Sequence, residues 1–362
     1  MKLLLAAVAT LLLIASLAGC ADRSTDPATG NDPACTTGAT DGAACTAAIM
    51  APKVDARKTL DDLRDFSESF PYRQSGTPTH LASRDDLAGR LEAAGLEVVR
   101  DSFPSAGTST AGGPEPEFEG ENILGFKWGT DRSHWIVVGA HYDITEGAVY
   151  GTYDDGSGTA MVFELAAAFA DVQTERTLVF AEFDQEEMGL VGSRAFIEHV
   201  LDGEFTHNGT IDGMVDLDMI GITWPHPADI IVWENSAALT AKVQELAAAV
   251  GVPSDHLQFR KSFGGSSDGA AFIDAGIATA YFWSDWDEYY LPDGSMMPDT
   301  PLPYVGPYPW WHKLDTYETM VVSAGDEATL QAGFQTTLDI VSPLLFHMAS
   351  PAFVPDPEEP ET

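Results

Sequence analysis

Two adjacent glutamates, Glu186 and Glu187, follow an apolar run in the stretch TLVFAEFDQEEMGLVGS, residues 177–193. Residues 178–183 read as a buried strand that gives way to a loop carrying Asp184, Glu186 and Glu187. In open α/β sheets, ligands bind beyond the carboxyl ends of strands, so acids at that position are placed for chemistry. Two neighbouring carboxylates can divide the labour, one holding a metal ion and the other taking a proton from the water that the metal polarises. A pair of glutamates alone is equally at home on a solvated surface. The residues that accompany the pair decide between the two readings.

Histidine and aspartate recur where other strands end. Residues 135–140 form a further apolar run, followed at once by His141, Tyr142 and Asp143. In extended backbone the side chains at i and i+2 share a face, so Asp143 can hold or polarise His141. Asp154 and Asp155 sit on a tight turn before Gly156-Ser157-Gly158 and the periodic segment 160–169. One aspartate there reads as a helix N-cap; the second, beside glycines that let backbone approach closely, is less easily explained so. Residues 214–221 are an apolar strand interrupted by Asp216 and Asp218, which burial disfavours unless something cationic compensates them. Two histidines and three carboxylates, His141, Asp154, Glu187, Asp218 and His312, thus arrive from five separate turns. Zinc accepts such nitrogen and oxygen ligands, and one carboxylate can bridge two ions about 3.5–4 Å apart.

The elements that must position these groups follow from periodicity. Residues 54–67 and 80–94 have helical spacing, the second closed by Gly95 as a C-cap, so two helices precede the sheet. Strands are expected at 96–99, 122–128, 135–140, 178–183, 214–221 and 277–283, and helices at 160–169, 237–250 and 328–348. This alternation argues an α/β fold, a three-layer α/β/α sandwich with a largely parallel mixed central sheet, in one domain over residues 54–349. The Pro-, Tyr- and Trp-rich stretch 283–311 is either a packed excursion or one wall of a substrate pocket, and its length favours the wall.

The ends of the chain read differently. Met1-Lys2 and the apolar residues 3–17 have the charge and length of an export signal, 1–19, too short for a comfortable membrane span. Leu17-Ala18-Gly19-Cys20 resembles the lipobox of bacterial lipoproteins, which implies cleavage before Cys20, a lipid on that cysteine, and a protein anchored to a membrane and facing the periplasm or exterior. Cys35 and Cys45 remain, an even pair in an oxidising compartment, and are expected to form a disulfide. Residues 20–53 read as a flexible tether and 350–362 as a disordered acidic tail. With 18 basic against 56 acidic residues and a formal charge of −38, the surface is acidic and solvated, which argues against nucleic acid as a partner.

The ordered motifs His-x-Asp, Asp-Asp-x-Ser-Gly, Glu-Glu-x-Gly-Leu-x-Gly-Ser, Leu-Asp-Met and His-x-x-Asp-Thr resemble the co-catalytic zinc aminopeptidases, a family that includes secreted bacterial leucine aminopeptidases, glutamate carboxypeptidase II and, more distantly, glutaminyl cyclases. The resemblance covers most of residues 80–345. It implies a metal-dependent exopeptidase that acts on peptides with a free N-terminus and holds two zinc ions. Asp154 is then the bridge, with His141 and Asp218 completing one ion and Glu187 and His312 the other. Glu186 is implied as general base, Asp143 and Asp315 as partners orienting His141 and His312, and the Asp154–Asp155 peptide bond as cis. The chain departs from the pattern at Gly269, where many relatives have His, and at Trp311, where some have a Tyr that steadies the oxyanion. The approach Pro-Tyr-Pro-Trp-Trp-His to His312 is similar to that of glutaminyl cyclases, which use a single zinc, so cyclisation of N-terminal glutamine stands as the alternative on this fold.

Two other classes compete. Gly265-Ser266-Ser267-Asp268-Gly269 matches the G-x-S-x-G nucleophile elbow of serine hydrolases, a short and common pattern. A non-catalytic binding lipoprotein is the second, since fold never dictates function.

Overall fold

Along the central strands the apolar side chains alternate, and each parity enters a different core. The computed structural model describes residues 42–105, 119–222, 230–261, 267–284, 308 and 310–358. The chain runs α1 (Ala43–Met50), α2 (Ala56–Ser69), α3 (Pro78–Ala93), β1 (Glu97–Pro104), β2 (Glu119–Lys127), β3 (Asp131–His141), α4 (Ser157–Phe169), β4 (Arg176–Phe183), α5 (Val191–Leu201), β5 (Thr210–Asp218), β6 (Ile230–Glu234), α6 (Ala237–Ala249), β7 (Leu257–Lys261), α7 (Asp268–Asp274), β8 (Ala278–Ser284), α8 (Tyr317–Ala324) and α9 (Glu327–Met348).

The strands form one eight-stranded sheet in the order β1-β2-β4-β3-β5-β8-β6-β7. The middle, β4-β3-β5-β8, is parallel, while β1/β2, β2/β4 and β6/β8 pair antiparallel. Ile136 and Val138 of β3, with Leu178 and Phe180 of β4, face a core shared with α2, α4, α6 and α9. Trp135 and Val137, with Val179, Ala181 and Phe183, face the opposite core under α5 and α7. A sheet buried on both faces needs continuous apolar runs, which is what residues 135–140 and 178–183 supply. The expected three-layer α/β/α sandwich is therefore the observed one.

Strand β3 is followed in sequence by β4 on one side of it and, later, β5 on the other. That divergence opens a crevice at the carboxyl ends of all three strands. His141, the Asp184–Glu187 loop and Asp218 lie at those ends.

Two expected boundaries are corrected. Residues 42–53, read as part of a tether, begin the domain: α1 is helical, Met50 is buried, and Ala43 N–H donates to Glu245 Oε1 on α6 at 3.3 Å. Five of its eight residues are small alanine or cysteine-sized groups, which seat closely on α9 without the bulky apolar stripe that marks a helix in sequence. Cys45 is disulfide-bonded. Its expected partner Cys35, the signal segment 1–19 and Cys20 lie outside the described residues.

The tail differs likewise. Residues 350–358 lie along the domain, with Phe353 buried and its carbonyl accepting from Arg176 Nη2 at 2.9 Å. Asp356 accepts from the Ser236 hydroxyl and from Ala238 N–H, adding a second cap to the start of α6. Among the described residues no helix is long and apolar enough to cross a membrane.

Candidate metal centre

His141 ends β3 with its Nδ1 turned to Asp143, 3.2 Å from the backbone oxygen and 3.5 Å from Oδ1. The other nitrogen, Nε2, thereby faces the crevice. It lies 3.3 Å from Asp154 Oδ1, 3.9 Å from Glu186 Oε2 and 4.0 Å from Asp218 Oδ1. From the far side of the crevice His312 Nε2 approaches Asp154 Oδ2 at 3.0 Å and Glu187 Oε1 at 3.3 Å. The two oxygens of Asp154 thus serve different histidines.

Two sets of ligand atoms result, His141, Glu186 and Asp218 in one and Asp154, Glu187 and His312 in the other, each with its atoms within 4.8 Å of one another. Tetrahedral bonds of about 2.0–2.1 Å put neighbouring ligand atoms roughly 3.3 Å apart, so spacings of 3.0 to 4.0 Å between these nitrogens and oxygens match those of groups sharing a cation. Asp218 Oδ1 is buried with no hydrogen-bond partner among the described residues, as a ligand oxygen aimed at an ion would be. All five expected ligands and Glu186 come together.

The backbone is bent to achieve this. Gln185, Leu190, Met219 and His312 all adopt φ between 52° and 61°, a left-handed region that costs a non-glycine residue about 1–3 kcal/mol. Gln185 and Met219 adjoin Glu186 and Asp218, so the strain sits where strands must turn sharply to present ligands. The Asp154–Asp155 peptide bond is cis, as expected. Asp155 itself turns away from the crevice and binds the surrounding frame. It accepts from Gly158 N–H at 2.8 Å and Met219 N–H at 3.3 Å through Oδ1, and from His141 N–H at 3.3 Å through Oδ2.

Charge is distributed accordingly. Burial pushes Glu186 well above the ordinary carboxylate range against the pull of His141, raises Glu187, and brings Asp218 up to about 8. Burial also opposes the charge on Asp154, yet hydrogen bonds with His141 and His312 hold it below the usual range. Burial works against protonating the imidazoles too, but the carboxylates win: His312 rises to about 10 and His141 well above its ordinary value. A metal-free centre is a cage loaded with protons, which an entering dication displaces.

Residues 122–330, more than half of the chain, match peptidase family M28. The chain belongs to this family. Among curated relatives, Leupeptin-inactivating enzyme 1 of Streptomyces exfoliatus is 31% identical over 59% of this chain and 45% of its own length. Aminopeptidase YwaD of Bacillus subtilis (strain 168) is 29% identical over 49% of this chain and 40% of its own. The match thus spans less than half the length of either relative. Among solved structures, a zinc aminopeptidase from Bacillus subtilis, BSAP, superposes with a TM-score of 0.63 at 18% identity, covering 84% of this chain and 98% of the other. A Bacteroides thetaiotaomicron glutaminyl cyclase bound to N-acetylhistamine gives 0.58 at 19% identity, covering 80% and 98%. These likenesses establish the shared fold.

One residue of this M28 peptidase stands elsewhere than expected, and others carry contacts beyond those expected. Asp315 does not reach His312. Its Oδ2 accepts from the backbone N–H groups of Tyr153 and Asp154, at 2.7 and 3.0 Å, and its Oδ1 from the Tyr308 hydroxyl, so it holds the bridging loop. Asp143 does double duty, since its Oδ1 also accepts from Glu186 N–H at 3.0 Å. Ser267 donates to Asp216 at 2.8 Å and is buried against that carboxylate, with no histidine bonded to its hydroxyl among the described residues; Gly265 and Ser266 of the proposed elbow lie outside the described residues. Asp216 also accepts from Gly269 N–H at 2.7 Å, which makes it a brace for the start of α7 and accounts for one of the two strand-embedded acids.

Sequence reasoning passed over Arg73 and His80 and gave Trp311 no partner. Arg73, fully buried, donates to the backbone oxygens of Tyr142, Tyr150 and Gly151. His80 Nε2 lies 2.8 Å from Asp184 Oδ1, and Asp184 Oδ2 accepts from Glu121 N–H at 3.0 Å, which pins the start of the Glu186–Glu187 loop to α3 and β2. Trp311 lies against His312, ring centroids 3.9 Å apart, and its Nε1 donates to Asp154 Oδ2 at 2.5 Å. The motif Glu-Phe-Asp-Gln-Glu-Glu carries the acid at Asp184 in plain view, but its histidine partner is 104 residues away.

Proposed function

We propose that this M28 peptidase is a zinc-dependent aminopeptidase that removes residues from peptides with a free N-terminus. The observation that carries the reading is Asp154, one carboxylate with an oxygen toward each histidine, beside a Glu186 that no lysine or arginine pairs among the described residues. His141 and Asp218 complete one zinc position with Asp154, Glu187 and His312 the other. Zinc bound there supplies Lewis acidity toward the scissile carbonyl and lowers the pKa of bound water.

The protein's own residues do the rest. Glu186, largely buried at the mouth of the site with Oε2 toward His141, accepts a proton from the attacking water. The water oxygen adds to the carbonyl carbon, the C–N bond breaks, and Glu186 returns the proton to the departing amine. Asp143 holds the Glu186 amide while facing His141, so the base and a ligand are fixed by one carboxylate. Glu187 accepts from Thr145 N–H at 3.2 Å through the same oxygen that faces His312, which fixes its rotamer.

Glu186→Gln tests the reading: the variant should keep both zinc ions and lose about 10²- to 10⁴-fold in kcat. Equal activity in the variant and the wild type would refute the mechanism. One observation favours a second reading, glutaminyl cyclisation: Trp311 packs on His312 beside a ligand set, Asp154, Glu187 and His312, sufficient for a single ion. Ammonia release from N-terminal glutaminyl peptides without hydrolysis of aminoacyl amides would install that reading in place of the first.

The address is proposed on sequence alone. Export by the signal 1–19 and anchoring through a lipid on Cys20 predict that Cys20→Ser moves the protein from the membrane fraction to the soluble one.

A further inference from the structure

We propose that Arg73 is a positioning residue of the metal centre: one guanidinium closes the 142–151 loop at both ends and thereby sets the spacing of His141 and Asp154. The inference rests on the ligand assignment above. Arg73 lies in the turn between α2 and α3, wholly out of solvent over the face of Phe66. Its Nε donates to Tyr142 O at 2.7 Å, immediately after His141. Its Nη2 donates to Gly151 O at 2.6 Å, and Nη1 to Tyr150 O, three and four residues before Asp154.

Neighbours extend the same splint. Tyr72 N–H donates to Val149 O at 2.6 Å, Gln74 Nε2 to Ala148 O at 2.7 Å, and Val149 N–H to Lys313 O at 2.9 Å, beside His312. Three ligands, His141, Asp154 and His312, are therefore referred to one turn. Arginine suits the task because its planar fork offers several donors in fixed directions, whereas lysine offers a single point on a flexible stem. All three acceptors are neutral carbonyls, so the positive charge is left to act on Asp315, Asp143, Asp155 and Asp154 around it. That charge offsets part of the repulsion among carboxylates before any zinc enters.

The two roles predict opposite signs. Loss of a cation alone would draw zinc in more tightly; loss of the splint would let His141 and Asp154 drift and weaken it. We infer that the splint dominates, since the donors hold both ends of the loop joining the two ligands.

The test uses the full chain as wild type, Arg73→Lys and Arg73→Met, with zinc affinity read by competition against a chromogenic chelator and kcat and KM measured on the same samples. Loss of an outer partner of a metal ligand typically costs about 10- to 100-fold in metal affinity or activity. Arg73→Lys should bind its second zinc at least about tenfold more weakly with kcat reduced and KM within about twofold, and Arg73→Met should be worse than Arg73→Lys. Zinc affinity equal to or tighter than wild type in both variants overturns the proposal while leaving the two-metal reading intact. A wild type that takes up fewer than two zinc ions overturns that reading instead, and the inference with it. Should the variants fail to fold, hydrogen exchange on chelator-treated wild type decides: the Tyr72 and Val149 amides should stay protected at least about 100-fold if the splint forms the loop without metal, and exchange freely if zinc alone orders it.

Discussion

Replacing Asp315 with Ala separates two accounts of the site. The family resemblance implies that Asp315 orients His312, yet the carboxylate instead receives the Tyr153 and Asp154 amides at 2.7 and 3.0 Å and the Tyr308 hydroxyl. Truncation leaves two buried backbone donors without acceptors, at about 1–3 kcal/mol each, so Asp315→Ala should destabilise the metal-free protein by about 2–6 kcal/mol. Because the stranded amides belong to the bridging loop, affinity for both zinc ions should fall together. Asp315→Asn keeps an acceptor for the amides and removes only a charge that burial already disfavours, pushing Asp315 up to about 7, so it should cost less than Asp315→Ala. Denaturant titration of the metal-free variants and a zinc titration resolving both equivalents provide the measurement. Weakening of one zinc alone, or a stability loss in Asp315→Ala no larger than in Asp315→Asn, would refute this reasoning.

Two further outcomes follow from the buried groups. Asp218 at about 8 and His312 at about 10 are both raised above their unfolded values, so each contributes stability that is lost as pH rises, over about 4–8 for Asp218 and about 6.5–10 for His312. The metal-free protein should therefore melt at a lower temperature at pH 8 than at pH 6, whereas zinc, which needs these groups deprotonated, should bind more tightly at pH 8; a metal-free melting temperature that climbs over this interval contradicts the charge assignment. Ser267→Ala should retain kcat and lose about 0.5–1.5 kcal/mol of stability as Asp216 gives up one donor, while abolished turnover would revive the serine nucleophile.

Three ligands were legible because they interrupt or follow apolar runs, where a buried strand has no reason of its own to carry a charge: His141 after 135–140, Glu187 after 178–183, Asp218 inside 214–221; Asp154 and His312 were legible through the ordered motifs around them. The groups that hold the ligands were not. Arg73 bonds to carbonyls 69 to 78 residues away, and His80 to Asp184 across 104, so nothing local marks them. Asp315 was misread because the family resemblance implied a partner for His312, whereas its carboxylate receives the amides of Tyr153 and Asp154, 162 and 161 residues away in the chain. The ends of the domain were hidden by composition: α1 is alanine-rich without a bulky stripe, and the tail is fastened by Phe353, Asp356 and backbone bonds that no apolar period announces.

Anomalous diffraction at the zinc edge from crystals grown with zinc tests the central claim most directly. Two peaks about 3.5–4 Å apart, with Asp154 reaching both and Glu186 reaching neither, are the expected result. A single peak held by Asp154, Glu187 and His312, or Glu186 bound to metal in place of Asp154, would contradict it.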